Sequence, residues 1–149
     1  MKNITPLEML RQQAAKKLDD TASELGKAQQ AYQNALSQQD MLRRYQEEYR
    51  KKMHSGLTGQ GLKVHDLVVQ NAFISSLHNV INQQKNHVQQ CHKSVNHSLS
   101  AWRSDKQRLN AFETLKNRND AALLLAENRR DQKLMDEFAQ RISYGKKTL

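Results

Sequence analysis

Ser55-Gly56-Leu57-Thr58-Gly59-Gln60-Gly61 holds three of the chain's five glycines. Glycine reaches φ > 0 freely and loses the most entropy when fixed in a helix, so such a cluster predicts a turn. On both sides the sequence is rich in Gln, Lys, Arg, Glu, Ala and Leu, and its one proline is Pro6. The stretch therefore predicts a helix over about 6–54, a Gly-rich turn over 55–61, and a longer helix over about 66–142 that folds back on the first. Residues 143–149 are expected to fray. The expected fold class is all-α: a single antiparallel two-helix coiled coil, with residues 113–142 overhanging the first helix.

Outward from the turn, each flank carries a stripe. Pro6 suits the first turn of a helix, where its missing N–H costs nothing, and Thr5 is a candidate N-cap. Leu7, Leu10, Ala14, Leu18, Leu25, Ala28, Tyr32, Ala35, Leu42, Tyr45 and Tyr49 then recur in steps of three and four, with polar Thr21 and Gln39 in the same series. That spacing marks a heptad seam. After the glycines, Leu62 to Val69 is mixed. The stripe resumes at Phe73, Leu77, Val80 or Ile81, Gln84, Val88, Cys91, Val95, Leu99, Trp102, Lys106, Leu109 and Phe112. In an antiparallel hairpin, facing residues share a nearly constant index sum. Pairs such as Leu7 with Phe112, Ala28 with Cys91, and Tyr45 with Phe73 give sums of 118–120, so the stripes mirror each other about Gly59. At 1.5 Å per residue the first helix would be roughly 70 Å long and the second about 115 Å. The overhang still carries Leu123, Leu124, Leu125, Leu134, Met135 and Phe138. An unpaired helix with large apolar residues is a candidate docking surface.

Composition sets the bounds. The chain has 149 residues and 37% hydrophobic content, with a mean hydropathy of −0.91. That is lean for a globular core but sufficient for a narrow seam. The net charge of +9 permits an anionic partner without selecting one. The excess is spread out, with ten cations to seven anions over residues 1–55, six to two over 56–112, and eight to six over 113–149. A nucleic-acid reader concentrates its basic residues on one element, so a solvated face is the expectation. The single Cys91 excludes an intrachain disulfide. No signal-peptide pattern or run of about 20 apolar residues is present, which leads to the expectation of a cytoplasmic protein.

Catalytic motifs are missing: no P-loop, no G-x-S-x-G, no H-E-x-x-H and no paired cysteines. His87, His92 and His97 recur every five residues, which winds them around a helix. Only spacings of three or four converge on one ligand, so no metal site is expected. Tyr45 and Tyr49 are bulky for a two-helix seam. Either they pack beside the turn or they stand on a groove shoulder as binding anchors.

Three segments carry a resemblance. They are Tyr45-Gln46-Glu47-Glu48-Tyr49-Arg50, then Trp102-Arg103-Ser104-Asp105-Lys106-Gln107-Arg108-Leu109, and above all Leu124-Leu125-Ala126-Glu127-Asn128-Arg129-Arg130-Asp131-Gln132-Lys133-Leu134-Met135-Asp136-Glu137-Phe138-Ala139-Gln140-Arg141. Through them nearly the whole chain resembles the FliJ family of flagellar export proteins. The resemblance implies a coiled coil similar to the central stalk of rotary ATPases, serving the cytoplasmic export machinery of the bacterial flagellum. The partners it implies are the hexameric export ATPase, the cytoplasmic domain of the membrane export gate, and export chaperones. It implies a gate-binding patch at Gln38, Leu42, Tyr45, Tyr49, Phe73, Leu77, Val80 and Gln84. It also places the helix termini in the ATPase ring. The candidate ring-binding residues are then Leu123, Leu124, Leu134, Met135 and Phe138, with Arg129, Arg130 and Lys133 as a polar rim. A non-enzymatic stalk and adaptor follows, without cofactor or nucleic acid, meeting the inner membrane only through the gate. The alternatives are the equivalent stalk of a virulence secretion system and a basic nucleic-acid-binding coiled coil.

Overall fold

A computed structural model describes residues 4–59 and 63–147. It contains two helices, α1 over Pro6–Gly59 and α2 over Val64–Lys147, packed against each other in an all-α hairpin. Contacts divide the chain into one unit of residues 1–18 with 105–149 and a second of residues 19–104.

α1 starts where the chemistry of Thr5-Pro6-Leu7-Glu8 directs it. The Glu8 N–H donates to Thr5 Oγ1 at 3.2 Å, and the Met9 N–H donates to the Thr5 carbonyl at 3.1 Å. The Glu8 donor, which a helix N-terminus leaves without an intrahelical partner, is thereby satisfied; the Met9 bond is the helix's first regular one, and Pro6 sits in the position that needs none. The far end differs from expectation. α1 does not stop near residue 54 but continues through Gly56 to Gly59. Gly56 falls in the seam register after Met53 and is half-buried. Among the described residues no glycine takes a positive φ. A helical glycine costs only about 1 kcal/mol relative to Ala, and a helix already propagating absorbs that cost. α2 likewise begins at Val64, earlier than expected, with the Leu67 N–H donating to the Lys63 carbonyl at 3.1 Å. The rest of the expected turn, Gln60 to Gly61, lies outside the described residues.

A stripe of less exposed positions on α1 runs 7, 11, 14, 18, 21, 25, 28, 32, 35, 39, 42, 46, 49, 53 and 56 in alternating steps of four and three, with residues 8, 15 and 36 partly covered beside it. That of α2 runs 67, 70, 74, 77, 81, 84, 88, 91, 95, 98, 102, 105, 109, 112 and 116 in the same alternation, with Leu99 and Ala101 partly covered beside it. This corrects the stripe read from apolarity. Arg11 takes the seam in place of Leu10, Gln46 in place of Tyr45, Ile74 in place of Phe73, and Asp105 in place of Lys106. The reason is rotational. Four residues overshoot a turn by about 40° and three undershoot by about 60°, so two like steps in succession carry the stripe off its partner. The apolar series makes such double steps at Gln39–Leu42–Tyr45 and at Phe73–Leu77–Ile81, and there the structure keeps the alternation instead.

In the unit of residues 19–104 the seam is built around small and amide side chains. Ala35 is only 1% exposed and Leu77 is 9% exposed. The Gln84 side-chain amide donates to the Ala35 carbonyl at 2.9 Å across the two helices. Tyr32 stacks on His92 with ring centroids 5.4 Å apart. Trp102 is half-buried, so it contributes less than a fully enclosed indole would.

The other unit, described over residues 4–18 and 105–147, is held by charges as much as by apolar contact. Ala14 is buried, and so is Asp105, whose carboxylate lies 3.8 Å from Lys17 Nζ. Glu8 binds Arg11 within its own helix at 2.6 Å and Lys116 of α2 at 3.2 Å. The Lys116 contact moves the start of the overhang from the expected residue 113 to 117. From Asn117 to Gly145 every residue of α2 is exposed. The Arg11 hydrogen bond, then the Lys116 hydrogen bond, hold the Glu8 carboxyl well below its ordinary value, at about 2. A depressed carboxylate stabilises the folded state in full above about pH 4.5 and loses that contribution as pH falls towards 2. Glu8→Gln should therefore flatten the acid side of the helicity-versus-pH curve between about pH 4.5 and 2, read by circular dichroism against the unsubstituted chain. Superimposable curves would mean that this ion cluster does not form in solution.

Candidate functional site

The expected turn-proximal patch divides into supporting residues and presented ones. Leu77 is buried, and Leu42 and Tyr49 are half-buried in the seam. Tyr45, Phe73, Val80 and Gln38 stand exposed on one shoulder of the seam. The two tyrosines and Phe73 form an aromatic cluster. Tyr49 and Phe73 have centroids 4.6 Å apart at 43°. Tyr45 meets the same Phe73 ring edge-on at 6.3 Å and 65°. Such tilted geometry is the favourable one for ring quadrupoles. It leaves Tyr45 itself 51% exposed. Of the two readings of the tyrosines, packing fits Tyr49 and the groove shoulder fits Tyr45. The split follows from the register, because Tyr49 is in the four–three series and Tyr45 is one residue short of it.

Beside the cluster, Gln38, Met41, Leu42, Tyr45 and Gln84 line an open groove of about 370 Å³. Two amides meet in its mainly apolar lining: Gln84 Nε2 donates both to the Ala35 carbonyl and, at 3.3 Å, to Gln38 Oε1. Gln84 thus locks the orientation of Gln38, leaving the Gln38 amide nitrogen to face outward as a donor. Met41 was not among the expected site residues. It is 69% exposed on the groove wall. The signal that could have found it is the same rotation that displaces Tyr45, since residues 38, 41 and 45 share one shoulder of α1. Val64, Val68 and Val69 at the start of α2 are exposed as well.

The second expected surface is the overhang. Leu123, Leu124, Leu134, Met135 and Phe138 are all exposed, as are Arg129, Arg130 and Lys133. They form helix surface, with the large apolar residues on one side and Arg129 and Lys133 on the other.

The histidines that could invite a metal engage ordinary neighbours: His92 packs on Tyr32, and His87 Nε2 lies 3.7 Å from Cys91 Sγ. Among the described residues no three His, Cys, Asp or Glu side chains gather as a metal would need, and no helix is long and apolar enough to cross a membrane.

Comparison with known proteins follows this geometry. The family model described as "Flagellar FliJ protein" matches residues 1–148. A flagellar FliJ protein of Salmonella typhi is 42% identical over 140 residues, covering 94% of this chain and 95% of the relative. One from Escherichia coli strain K12 is 40% identical over the same length and the same shares.

Replacing Gln84 by Ala removes both amide bonds at the groove floor. Urea unfolding should then show a loss of about 0.5–1.5 kcal/mol, the net worth of such a hydrogen bond. An unchanged midpoint would show that the amide bonds water as well as it bonds Ala35.

Proposed function

The chain belongs to the flagellar FliJ family, and on that premise we propose that it acts in flagellar protein export as a non-enzymatic stalk and adaptor. The groove beside the turn binds the cytoplasmic domain of the membrane export gate. The overhang of α2, with the N-terminal end of α1, enters the hexameric export ATPase and couples its ring to the gate. The same chain binds export chaperones. It works in the cytoplasm, peripheral to the inner membrane at the flagellar base, and meets the membrane only through the gate.

The observation that carries this reading is the family match over residues 1–148. The character of the surfaces supports it. The groove offers one aromatic anchor, one thioether and a pair of oriented amides, a set suited to gripping a protein side chain. The overhang offers large apolar residues in water. Each Leu, Met or Phe covered by a partner gains about 1.5–3 kcal/mol relative to remaining wet. The relatives are flagellar by name, which favours the flagellar reading over the equivalent stalk of a virulence system.

Two tests follow. Tyr45→Ala together with Tyr49→Ala should weaken gate binding by about tenfold or more, as loss of interface aromatics does, with helicity largely kept. Unchanged affinity in a binding titration would remove these tyrosines from the site. Leu124→Ala, Leu134→Ala and Phe138→Ala combined should abolish stimulation of the export ATPase and reduce motility. All three residues are exposed and Ala is a strong helix former, so the fold should persist. Full stimulation by this variant would sink the ring assignment.

A further inference from the structure

At one layer of the seam, register and apolarity disagree about which neighbour belongs inside. Gln46 takes the seam position, and Tyr45, one residue earlier, stands exposed on the shoulder. Along the same stretch of α1 the other choices are settled or indifferent. At Gln38–Gln39 both neighbours are amides, and at Ala31–Tyr32 and Lys52–Met53 the larger apolar residue is the one in the seam. Three features surround the disputed layer. Tyr45 already touches α2, edge-on to Phe73 at 6.3 Å. On the opposite shoulder, marked by Arg50 about 140° around α1 from Tyr45, a cavity of about 60 Å³ is lined by Gln46, Tyr49, Arg50, Met53, Ile74 and Leu77. In the next layer towards the turn, Gln70 keeps its Oε1 buried without a hydrogen-bond partner among the described residues. The cross-helix ion pairs Lys17–Asp105 and Glu8–Lys116 both lie outside residues 19–104, so neither pins this layer.

We infer that α1 rolls locally between two settings at this layer, and that the roll opens and closes the groove. In the setting seen here Gln46 is in and Tyr45 is out. A roll of about 50°, half the angle between neighbouring residues, carries the Tyr45 ring in against Ile74 and Phe73. The same motion moves Gln46 outward over the small cavity, and Met41 takes the shoulder place that Tyr45 leaves. Leu42 and Tyr49 border the seam in both settings. Burying a ring in place of an amide favours the inward setting. The unbroken three–four alternation, held by Tyr32 and Met53 on either side, favours the outward one. The two effects oppose each other at a single pair of neighbours, and the unmet Gln70 acceptor shows that the outward packing is not fully satisfied.

This rests on the reading that the groove binds the export gate, and it assigns a regulation to that site. With Tyr45 inside, the groove lacks its aromatic anchor. The gate then meets only the outward fraction of the chain, and its apparent affinity falls by that fraction. A gate side chain that takes Tyr45 in turn holds α1 in the outward setting. Rigid presentation of Tyr45 is the rival account.

The test uses the full-length chain carrying 3-fluorotyrosine, with the Tyr45 resonance assigned through Tyr45→Phe. Without the gate, fluorine relaxation dispersion and broadening by a soluble paramagnetic agent should show Tyr45 exchanging between a shielded and an exposed environment. Gln46→Leu fills the seam position with hydrocarbon. It should leave one exposed environment and tighten gate binding by about twofold or more. Gln46→Lys drives that position outward. It should leave Tyr45 mostly shielded and weaken gate binding by about tenfold or more, with helicity kept. A single exposed Tyr45 environment in the unsubstituted chain and in both variants would overturn the inference in favour of rigid presentation. Weakened binding by Gln46→Lys with Tyr45 still exposed would mean that position 46 meets the gate directly, and would also overturn it. If both variants shift the exchange as expected while gate affinity stays the same in all three proteins, the roll stands and the groove is not the gate site.

Discussion

The alternation of three- and four-residue steps is the constraint on which the rest depends. Two helices stay in contact over many turns only if the stripe on each returns to the same angle, and an unbroken alternation does that. The structure keeps it even where it must place Arg11, Gln46 or Asp105 in the seam and push Leu10, Tyr45 or Phe73 to the side. Register outranks apolarity here because one misplaced step would rotate every later residue away from its partner. A polar side chain in the seam costs only its own layer. Asp105 and Gln84 show how that cost is met, the first by Lys17 and the second by a backbone carbonyl.

The exposed groove and the overhang are products of that constraint. Tyr45 and Phe73 are exposed because they miss the register by one residue, yet they remain close enough to the seam to lean on each other. Met41 and Gln38 stand on the same shoulder, so the groove is what the seam leaves over on one side. Gln84 belongs to both, with its amide in the seam and its second bond fixing Gln38 at the groove wall. The overhang is the opposite case. α2 continues past Lys116 without α1 beside it, and the heptad series that serves the seam still holds Leu123 and Ala126 before it gives way to Arg130, Lys133 and Glu137. The large apolar residues move to a new face.

Much of this was legible in the sequence. The helical hairpin followed from two long stripes around a glycine cluster, and the cap at Thr5 followed from its chemistry. The index sums placed the facing residues to within a few positions: the observed cross-helix contacts Glu8–Lys116, Lys17–Asp105 and Tyr45–Phe73 have sums of 124, 122 and 118, against the 118–120 expected, so the register drifts by two to four residues towards the chain ends. Two things were harder to read. The glycines at 56 and 59 signalled a turn, but propensity is a local preference of about 1 kcal/mol, and continuing helix overrode it. The seam was ambiguous by one residue wherever apolar and polar side chains sat next to each other, as at Leu10–Arg11 and Tyr45–Gln46. The angle argument resolves such pairs, and hydrophobicity alone does not. Met41 was missed for that reason, being an apolar residue outside the stripe.

The sparse interior has a thermal consequence. Among the described residues the buried apolar side chains are Ala14, Ala35 and Leu77, and no large side chain is fully enclosed. The heat-capacity change of unfolding grows with the apolar surface newly exposed and shrinks with the polar surface. A chain that is so fully helical yet hides so little hydrocarbon therefore unfolds with a small heat-capacity change for its length. Its free-energy curve against temperature is shallow, with a broad maximum and a cold-unfolding branch displaced far below freezing. Such a molecule keeps nearly the same margin of stability over a wide range of growth temperatures, without a tightly packed core to provide it.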